Sequence, residues 1–500
     1  MQFEVPQLTA SFYGAALPII ILCSTGIVAL LMAVSKSLAS PRVQYWLNFG
    51  ALLLSLLLVI RLYAISGAAS EMFLSGGFVS GRLGFFGQGA IIGIALVISL
   101  LMGEGYLKEK FFRGEIIALF HMVIAGMCTM VATDDLVTLF VGLEMASIGV
   151  YALIGYTNPT KLSQEGSIKY FVLGAVAAAI LLFGFAFLYA ATGTLRISEI
   201  SSSIGKISGH SWVELGAILT IAGLGFKMAL VPFHMWTPDA YEGSPTGLTA
   251  FMATAMKTMI MVAAIRMFEN GLDGVHAVWL PVIGFMAAAS LLFANIMALA
   301  QQSVKRMLAY SSIAHSGYMA LALASMSGGV SQYSVPSILF YLIGYVLVSL
   351  GAFAVIMWLE NERCENIIVD DLTGLAKQHP YAATALALFM FSLGGMPPTV
   401  GFISKLYIFN SALSNNMIGL IVVAAIGSTI SLYYYMRIIV RMFMMDSSPV
   451  LGALIKPVAS KVTSGVVLVC AILIILFGTL LPESGMRVAR HTSGEVTGGL

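Results

Sequence analysis

The sequence predicts an all-α protein that crosses a membrane about 14 times. Of its 500 residues, 59% are hydrophobic and only 10% are charged, whereas about 25% of residues are charged in ordinary soluble proteins. The apolar residues form long runs separated by short polar stretches. The 50 glycines and 29 methionines suit helices packed closely in lipid, since small residues let backbones approach and methionine fills gaps.

Charge and cysteine content exclude several other classes of protein. The 25 basic and 23 acidic residues nearly cancel, which leaves no basic surface for nucleic acid. The four cysteines lie far apart without a CxxC pair, which argues against a disulfide framework or an iron-sulfur site. These features favour a single unit embedded in the bilayer.

Fourteen apolar segments are long enough to be membrane helices, each of which needs about 20 residues. The predicted spans 1 to 14 are residues 13–34, 43–65, 83–103, 116–132, 136–156, 168–191, 213–234, 246–268, 278–300, 307–324, 337–358, 381–410, 417–436 and 462–481. No Lys or Arg precedes Lys36, so the first run is predicted to be a helix and not a cleaved signal.

Basic residues in the loops predict the orientation of the chain. Odd-numbered loops hold 15 Lys and Arg residues, including Lys305 and Arg306, whereas even-numbered loops and the termini hold 7. Because positive charge favours the inner side, both termini are predicted to face outside. The remaining three basic residues of the 25 are Lys227, Lys257 and Lys405, which lie within predicted spans.

Four ionisable residues therefore lie where lipid should exclude them: Glu144, Lys227, Lys257 and Lys405. A charge at mid-bilayer costs a few kcal/mol, so such residues are by default functional candidates. Buried carboxylates and lysines can change protonation near neutral pH, and a series of them can pass protons. The alternatives are an ion pair that only locks helices together, or a lysine whose stem lies along a helix end.

Two predicted spans contain breaks beside a buried lysine. Span 7 is interrupted by Pro232, and span 12 contains the sequence GGMPP at 394–398 within about 30 residues. If spans 4–8 form one unit and spans 9–13 another, each broken helix is the fourth of five. Because each unit then has an odd number of helices, the second unit is inverted in the membrane relative to the first. The corresponding domains are 1–115, 116–268, 276–440 and 441–500. The alternative is that these are proline kinks in unrelated helices.

Two histidines are weaker candidates, because histidine titrates near physiological pH. His234 follows the break in span 7 and is a candidate for proton uptake, with a satisfied interfacial histidine as the alternative. His315 lies among hydroxyl residues and could relay protons, or could simply hydrogen-bond at a helix interface. The sequence contains no phosphate-binding loop, dinucleotide fingerprint or nucleophile elbow, so energy for uphill transport would come from an ion gradient or from partner subunits.

Several of these segments carry a family resemblance. The segments 225–246, 305–315 and 395–405, with the helices of Glu144 and Lys257, resemble the antiporter-like proton-pumping subunits of respiratory complex I. Within that family, the amino-acid sequence of residues 238–246 is similar to that of the N-type subunit, and Lys405 stands where the M-type subunit typically has Glu. The absence of a long lateral helix disfavours the L type.

The resemblance implies a function for the candidate residues. Glu144 and Lys227 would be an interacting pair, Lys257 a connecting lysine and Lys405 the exit lysine. It implies two inverted five-helix repeats and a translocase subunit without its own redox centre or cofactor. Flavin, iron-sulfur clusters and quinone reduction would belong to partner subunits, and the membrane would be a bacterial inner membrane with both termini periplasmic. The alternatives are a subunit of a multi-subunit cation/proton antiporter, and a passive scaffold or quinone-site subunit.

Overall fold

Helices make up almost all of the described chain, as the long apolar runs predict. The computed structural model describes residues 9–35, 38–67, 70–104, 111–157, 160–204, 211–326, 331–360, 366–446 and 460–494. The helices of the first half, numbered to match the predicted spans, are α1 Ala10–Ala33, α2 Pro41–Ile65, α3 Arg82–Met102, α4 Gly114–Val131, α5 Leu136–Thr157, α6 Lys161–Thr192, α7 Ser211–Lys227 and α8 Thr246–Gly271. Those of the second half are α9 Asp273–Leu299, α10 Val304–Ala324, α11 Ser331–Leu359, α12 Pro380–Gly394 with its second segment Val400–Ser414, α13 Ile418–Met444, α14 Lys461–Thr479 and α15 Pro482–Ser493.

Eleven helices in the described ranges are long and apolar enough to cross a membrane. The predicted spans 7, 10 and 12 are also helical. Spans 7 and 12 are interrupted, so their segments are short, whereas α10 has 21 residues but carries two basic and several hydroxyl side chains. The all-α membrane fold with about 14 helices is therefore confirmed, while its division into two inverted repeats stays a prediction.

Local signals set several helix ends. The side chains of Thr9, Thr160, Ser303 and Ser460 each accept a hydrogen bond from a backbone N–H in the first turn of α1, α6, α10 and α14, respectively. Proline occupies the first position of α2 and of α12, where its missing N–H removes no helical bond.

Both predicted breaks are present. α7 ends at Lys227, and the chain continues through turns to the short helix Trp236–Gly243. α12 ends at Gly394 and resumes at Val400. The Val231–Pro232 and Pro397–Pro398 peptide bonds in these breaks are cis.

Some elements had no counterpart among the predicted spans. A hairpin of β1 Glu71–Phe73 and β2 Phe78–Ser80 pairs antiparallel around the 3₁₀ turn Leu74–Gly76, and three-residue strands give too little alternation to detect. α15 is amphipathic, with Ala489 buried and Arg490 exposed, so it is not an apolar run. The other short helices are Ile197–Ile204, Asp273–Val275 at the start of α9, Val369–Leu372 and Leu375–Gln378.

α8 and α10 form the centre of the molecule. Both are enclosed by other helices, and every residue of α10 from Met307 to Ala324 is buried. α10 packs on α9, α4 on α5, and α6 on α7. α2 and α14 instead expose large apolar side chains, as expected for lipid-facing helices.

The orientation prediction rests partly on residues that the structure does not describe. Six basic loop residues lie outside the described ranges: Lys36, Lys108, Lys110, Lys206, Arg363 and Lys456. The placement of both termini on the outer face therefore stays a prediction.

Candidate functional site

Lys227 lies on the face of α5 that carries Glu144. Its Nζ donates to Ser147 Oγ at 2.7 Å and to Tyr151 OH at 2.9 Å, and these residues follow Glu144 by three and seven positions. Glu144 is partly buried, and its Oε1 has no hydrogen-bond partner in the described part of the chain. The charges of Glu144 and Lys227 act on each other, although the direct partners of Lys227 are hydroxyls.

The break after Lys227 leaves carbonyl groups that other elements satisfy. Trp236 Nε1 donates to Phe226 O at 3.0 Å, and Ser316 Oγ of α10 donates to Met228 O at 2.5 Å. Irregular backbone at membrane depth is stable only when its polar groups find partners inside the protein. Ser316 thus connects α10 to the residue that follows Lys227.

Lys257 is buried in α8 and bonds the same serine. Its Nζ donates to Ser316 Oγ at 2.7 Å and to Ser312 O, and lies 5.3 Å from the ring centre of Tyr345. The residues that precede it, Met252–Met256, form a π-helical turn. Such turns often occur at functional sites.

His315 lies among three tyrosines between Lys257 and Lys405. Its Nδ1 is hydrogen-bonded to Tyr341 OH at 2.6 Å, and its ring centre lies 5.1 Å from that of Tyr345 and 6.1 Å from that of Tyr318. Both lysines act electrostatically on this imidazole.

Lys405 bends back to the break in α12. Its Nζ donates to Gly394 O at 3.0 Å, to Leu393 O at 3.3 Å and to Ser428 Oγ at 3.0 Å, and it lies 4.9 Å from the ring centre of Tyr318. The carbonyl end of a helix carries partial negative charge, which favours a cation. The carbonyl groups at the break in α12 therefore hold the ammonium group of Lys405.

His234 occupies a different place from His315. It is buried within the turns that join α7 to the short helix Trp236–Gly243, with its ring centre 5.0 Å from that of Phe293 in α9. Its Nδ1 has no hydrogen-bond partner within the described ranges. Its part in proton uptake stays a prediction.

A fourth buried lysine, Lys305, lies between predicted spans 9 and 10 and was counted as a loop residue. Lys305 is buried at the start of α10, where its Nζ lies 4.0 Å from Glu360 Oε1 and donates to Ser244 O at 3.1 Å. Thr246 Oγ1 donates to the same carboxylate oxygen at 2.8 Å. Lys305 is therefore a buried residue in the first turn of α10 and not part of the loop before it, because α10 begins three residues earlier than predicted.

α10 joins the candidate residues into one line. Ser316 connects Lys257 to the Lys227 break, while Tyr345, His315 and Tyr318 lie between Lys257 and Lys405; these contacts are those described above. The tyrosines of α11 were not identified from the sequence, although the four-residue spacing of Tyr341 and Tyr345 places both on one face of an apolar helix. Within the described residues, no group of three or more His, Cys, Asp or Glu side chains could hold a metal ion.

Comparisons with known proteins agree with this architecture. Residues 133–431 match the family model described as NADH:quinone oxidoreductase/Mrp antiporter, TM. NADH-quinone oxidoreductase subunit N 1 of Sorangium cellulosum is 39% identical over 404 residues, which cover 78% of this chain and 79% of the relative.

Solved structures share the fold over nearly the whole chain. A chain of respiratory complex I from Thermus thermophilus, solved with bound aureothin, is 29% identical with a TM-score of 0.79, covering 94% of this chain and 98% of that one. A chain of the membrane-bound sulfane sulfur reductase, an archaeal respiratory complex, is 26% identical with a TM-score of 0.86, covering 97% of both chains.

Proposed function

This chain belongs to the NADH:quinone oxidoreductase/Mrp antiporter transmembrane family, and we propose that it is a proton-translocating membrane subunit of an NADH:quinone oxidoreductase. The relative from Sorangium cellulosum bears that enzyme's name. The sulfane sulfur reductase has the same fold, so the fold alone does not define the electron acceptor. The quinone assignment is supported by the subunit N relatives.

The line of buried lysines is the observation that carries this function. Lys227, Lys257 and Lys405 are almost fully buried, and hydroxyl, phenol and imidazole groups lie between them. All of these groups can donate and accept protons. In this proposal protons pass from lysine to lysine, Glu144 adjusts the charge state of Lys227, His315 relays between Lys257 and Lys405, and His234 assists uptake.

The direction of transport follows from the predicted orientation. α12 runs from inside to outside, and Lys405 lies in its second segment, whereas Lys227 lies near the inner end of the first part of α7. Protons are therefore proposed to enter near Lys227 and leave near Lys405. This arrangement suits alternating access, in which each end lysine is open to one face.

The setting of the subunit is part of the same proposal. It lies in a bacterial inner membrane with both termini periplasmic, beside other membrane subunits that connect it to an NADH-oxidising arm. Flavin and iron-sulfur clusters belong to that arm. Residues 116–268 and 276–440 are proposed as the two transport units, with 1–115 and 441–500 flanking them.

A subunit of a multi-subunit cation/proton antiporter is the second candidate, because the matching family also covers Mrp antiporters. An antiporter would exchange sodium for protons without NADH, flavin or iron-sulfur partners. A passive scaffold would tolerate neutral residues at the buried lysines. Copurified partners and ion requirements distinguish these three functions.

The test is NADH-driven acidification of inverted membrane vesicles that contain the complex. Lys405→Ala is expected to abolish acidification, and Lys405→Glu to retain part of it, because a carboxylic acid also titrates. Lys377→Ala, which changes an exposed lysine, is the control. Normal pumping by an assembled Lys405→Ala complex would remove Lys405 from the pathway, and sodium-dependent exchange without NADH would favour the antiporter.

A further inference from the structure

An apolar groove lies between helices that do not carry the buried lysines and the neighbouring α8. It has a volume of about 580 Å³ and is lined by α2, α3, α8, α11 and α15. All of its lining residues are apolar or glycine except Tyr63 and Thr258. No residue of the lysine line faces it, so it is separate from the proposed proton pathway.

The size of the groove matches an acyl chain. Along α3 its lining runs from Phe85 to Val97, which corresponds to about 18 Å at 1.5 Å per residue. One leaflet of the hydrocarbon core is about 15 Å thick.

Glycines on α3 give the groove its depth. A Cβ atom at Gly93 would meet no other atom within 4 Å, and one at Gly89 would meet only Val59 Cγ1, at 3.4 Å. Both glycines line the groove. A side chain at Gly93 would therefore start in open space and extend into the groove.

One end of the groove is cationic and rich in hydrogen-bond donors. Arg82 begins α3 one turn before Phe85 and Phe86, on the same face, and its Nε donates to Ser66 O at 3.2 Å. Tyr63 OH lies 2.8 Å from Thr492 Oγ1 and 3.3 Å from Nδ1 of the exposed His491. This end, where α2 finishes and α3 starts, is at the membrane surface.

We propose that this groove binds one phospholipid with an anionic headgroup. An acyl chain lies along α3 and α11, and the phosphate group lies at the end marked by Arg82, Tyr63 and His491. The guanidinium group binds phosphate oxygens through charge-assisted hydrogen bonds, which a neutral isoprenoid chain lacks. It favours phosphatidylglycerol over phosphatidylcholine, because the choline cation of the latter cancels the phosphate charge and repels the arginine. The apolar wall matches the acyl chain of this lipid, and the cationic end matches its headgroup. The groove shares no residue with the proposed proton pathway.

The test uses the intact membrane complex in phosphatidylcholine nanodiscs that contain a trace of photoactivatable phosphatidylglycerol. After illumination, mass spectrometry measures lipid adducts on peptides of α3 and α11. The unmodified chain is expected to give adducts there, and photoactivatable phosphatidylcholine used as the tracer is expected to give far fewer. This comparison requires no variant. Equal labelling by the two lipids would overturn the anionic site.

Two variants separate the roles of the groove and of the charge. Arg82→Gln should lower labelling by phosphatidylglycerol about tenfold, the effect of one lost charge-assisted hydrogen bond. Gly93→Leu should lower it at least about tenfold by occupying the groove. Gly50→Leu, at another glycine with open space around it, is the matched control and should label normally. Unchanged labelling of Gly93→Leu, or occupation by a partner subunit's peptide in crosslinks, would contradict the proposal.

Discussion

The partners of the buried lysines are mostly neutral oxygen atoms. Lys227 donates to two hydroxyls, Lys257 to a hydroxyl and a carbonyl, and Lys405 to two carbonyls and a hydroxyl. Such groups hold an ammonium in place without a permanent counter-charge. When Lys257 or Lys405 loses its proton, no hydrogen-bonded carboxylate is left unpaired, so the large penalty for breaking a buried ion pair does not arise there. Lys227 differs, because the charge of Glu144 also acts on it.

The first prediction concerns Glu144, whose charge acts on Lys227. Two opposite charges about 7 Å apart attract by roughly 2 kcal/mol at an effective dielectric constant of about 20. Glu144→Gln keeps the shape but removes this interaction, so NADH-driven acidification should fall about tenfold or more while the complex stays assembled. Glu165→Gln, at an exposed glutamate, is the control. Normal acidification by assembled Glu144→Gln complex would exclude Glu144 from the pathway.

The second prediction concerns Lys257. Methionine has a similar length and no charge, so Lys257→Met should abolish pumping and leave stability equal or improved, because the burial of an ammonium is relieved. Acidification and the thermal unfolding midpoint are measured together. Lys377→Met, at an exposed position, should change neither. Retained pumping with failed assembly would instead make Lys257 a structural residue.

At the scale of elements, the two broken helices use their breaks differently. In α7 the freed carbonyl of Met228 accepts from Ser316 of another helix, whereas in α12 the freed carbonyls of Leu393 and Gly394 accept from Lys405 of the same helix. The α12 break therefore positions its own lysine. The α7 break instead positions the helix that reaches Lys257.

Proline and glycine made these breaks predictable, because their effect on a helix is local. The sequence also identified Lys227, Lys257 and Lys405, since a charge within an apolar run needs no knowledge of neighbours. The tyrosines that lie between them were not predictable in the same way. Tyr345 approaches Lys257 from a helix almost ninety residues away, and only the packing of α8, α10 and α11 brings them together.

The third prediction concerns Gly395, which ends the first part of α12 with φ of +79°. A Cβ atom there would lie 2.8 Å from Lys405 Cδ. Gly395→Ala should destabilise the protein by about 1–2 kcal/mol through the left-handed backbone alone, and should lower pumping by displacing Lys405. Gly419→Ala, in the open first turn of α13, is the control and should be neutral or slightly stabilising. Unchanged unfolding and pumping of Gly395→Ala would contradict the assigned role of the break.

At the scale of the whole molecule, ion pairs at one end of α10 connect the two predicted transport units. Arg306 Nη1 binds Asp239 Oδ1 at 2.6 Å and Glu242 Oε2 at 3.0 Å in the other unit. Lys305 meets Glu360 of its own unit and donates to Ser244 O of the other at 3.1 Å. Asp239 also accepts from Lys169 of α6 at 2.7 Å. The sequence predicted Lys305 and Arg306 only as basic loop residues, because their pairing depends on contacts between segments far apart in the chain.

The last prediction uses Asp239, which lies outside the membrane spans. Partial burial alone would raise the pKa of Asp239, but hydrogen bonds from Lys169 and Arg306 outweigh burial and hold it below its ordinary value. An aspartate with a lowered pKa in the folded state stabilises that state above its ordinary pKa of about 4, and this contribution is lost as the pH falls through the lowered value. Asp239→Asn should therefore unfold at a lower temperature than the unmodified protein at pH 7, and the difference should shrink below about pH 4.

The unfolding midpoint of the detergent-solubilised protein, measured between pH 7 and pH 3, tests this prediction. Asp273→Asn, at an exposed aspartate, is the control. Arg306→Met should reduce the same difference, since it removes one of the two cations. A difference that stays constant down to pH 3 would show that the charge of Asp239 does not hold the two units together.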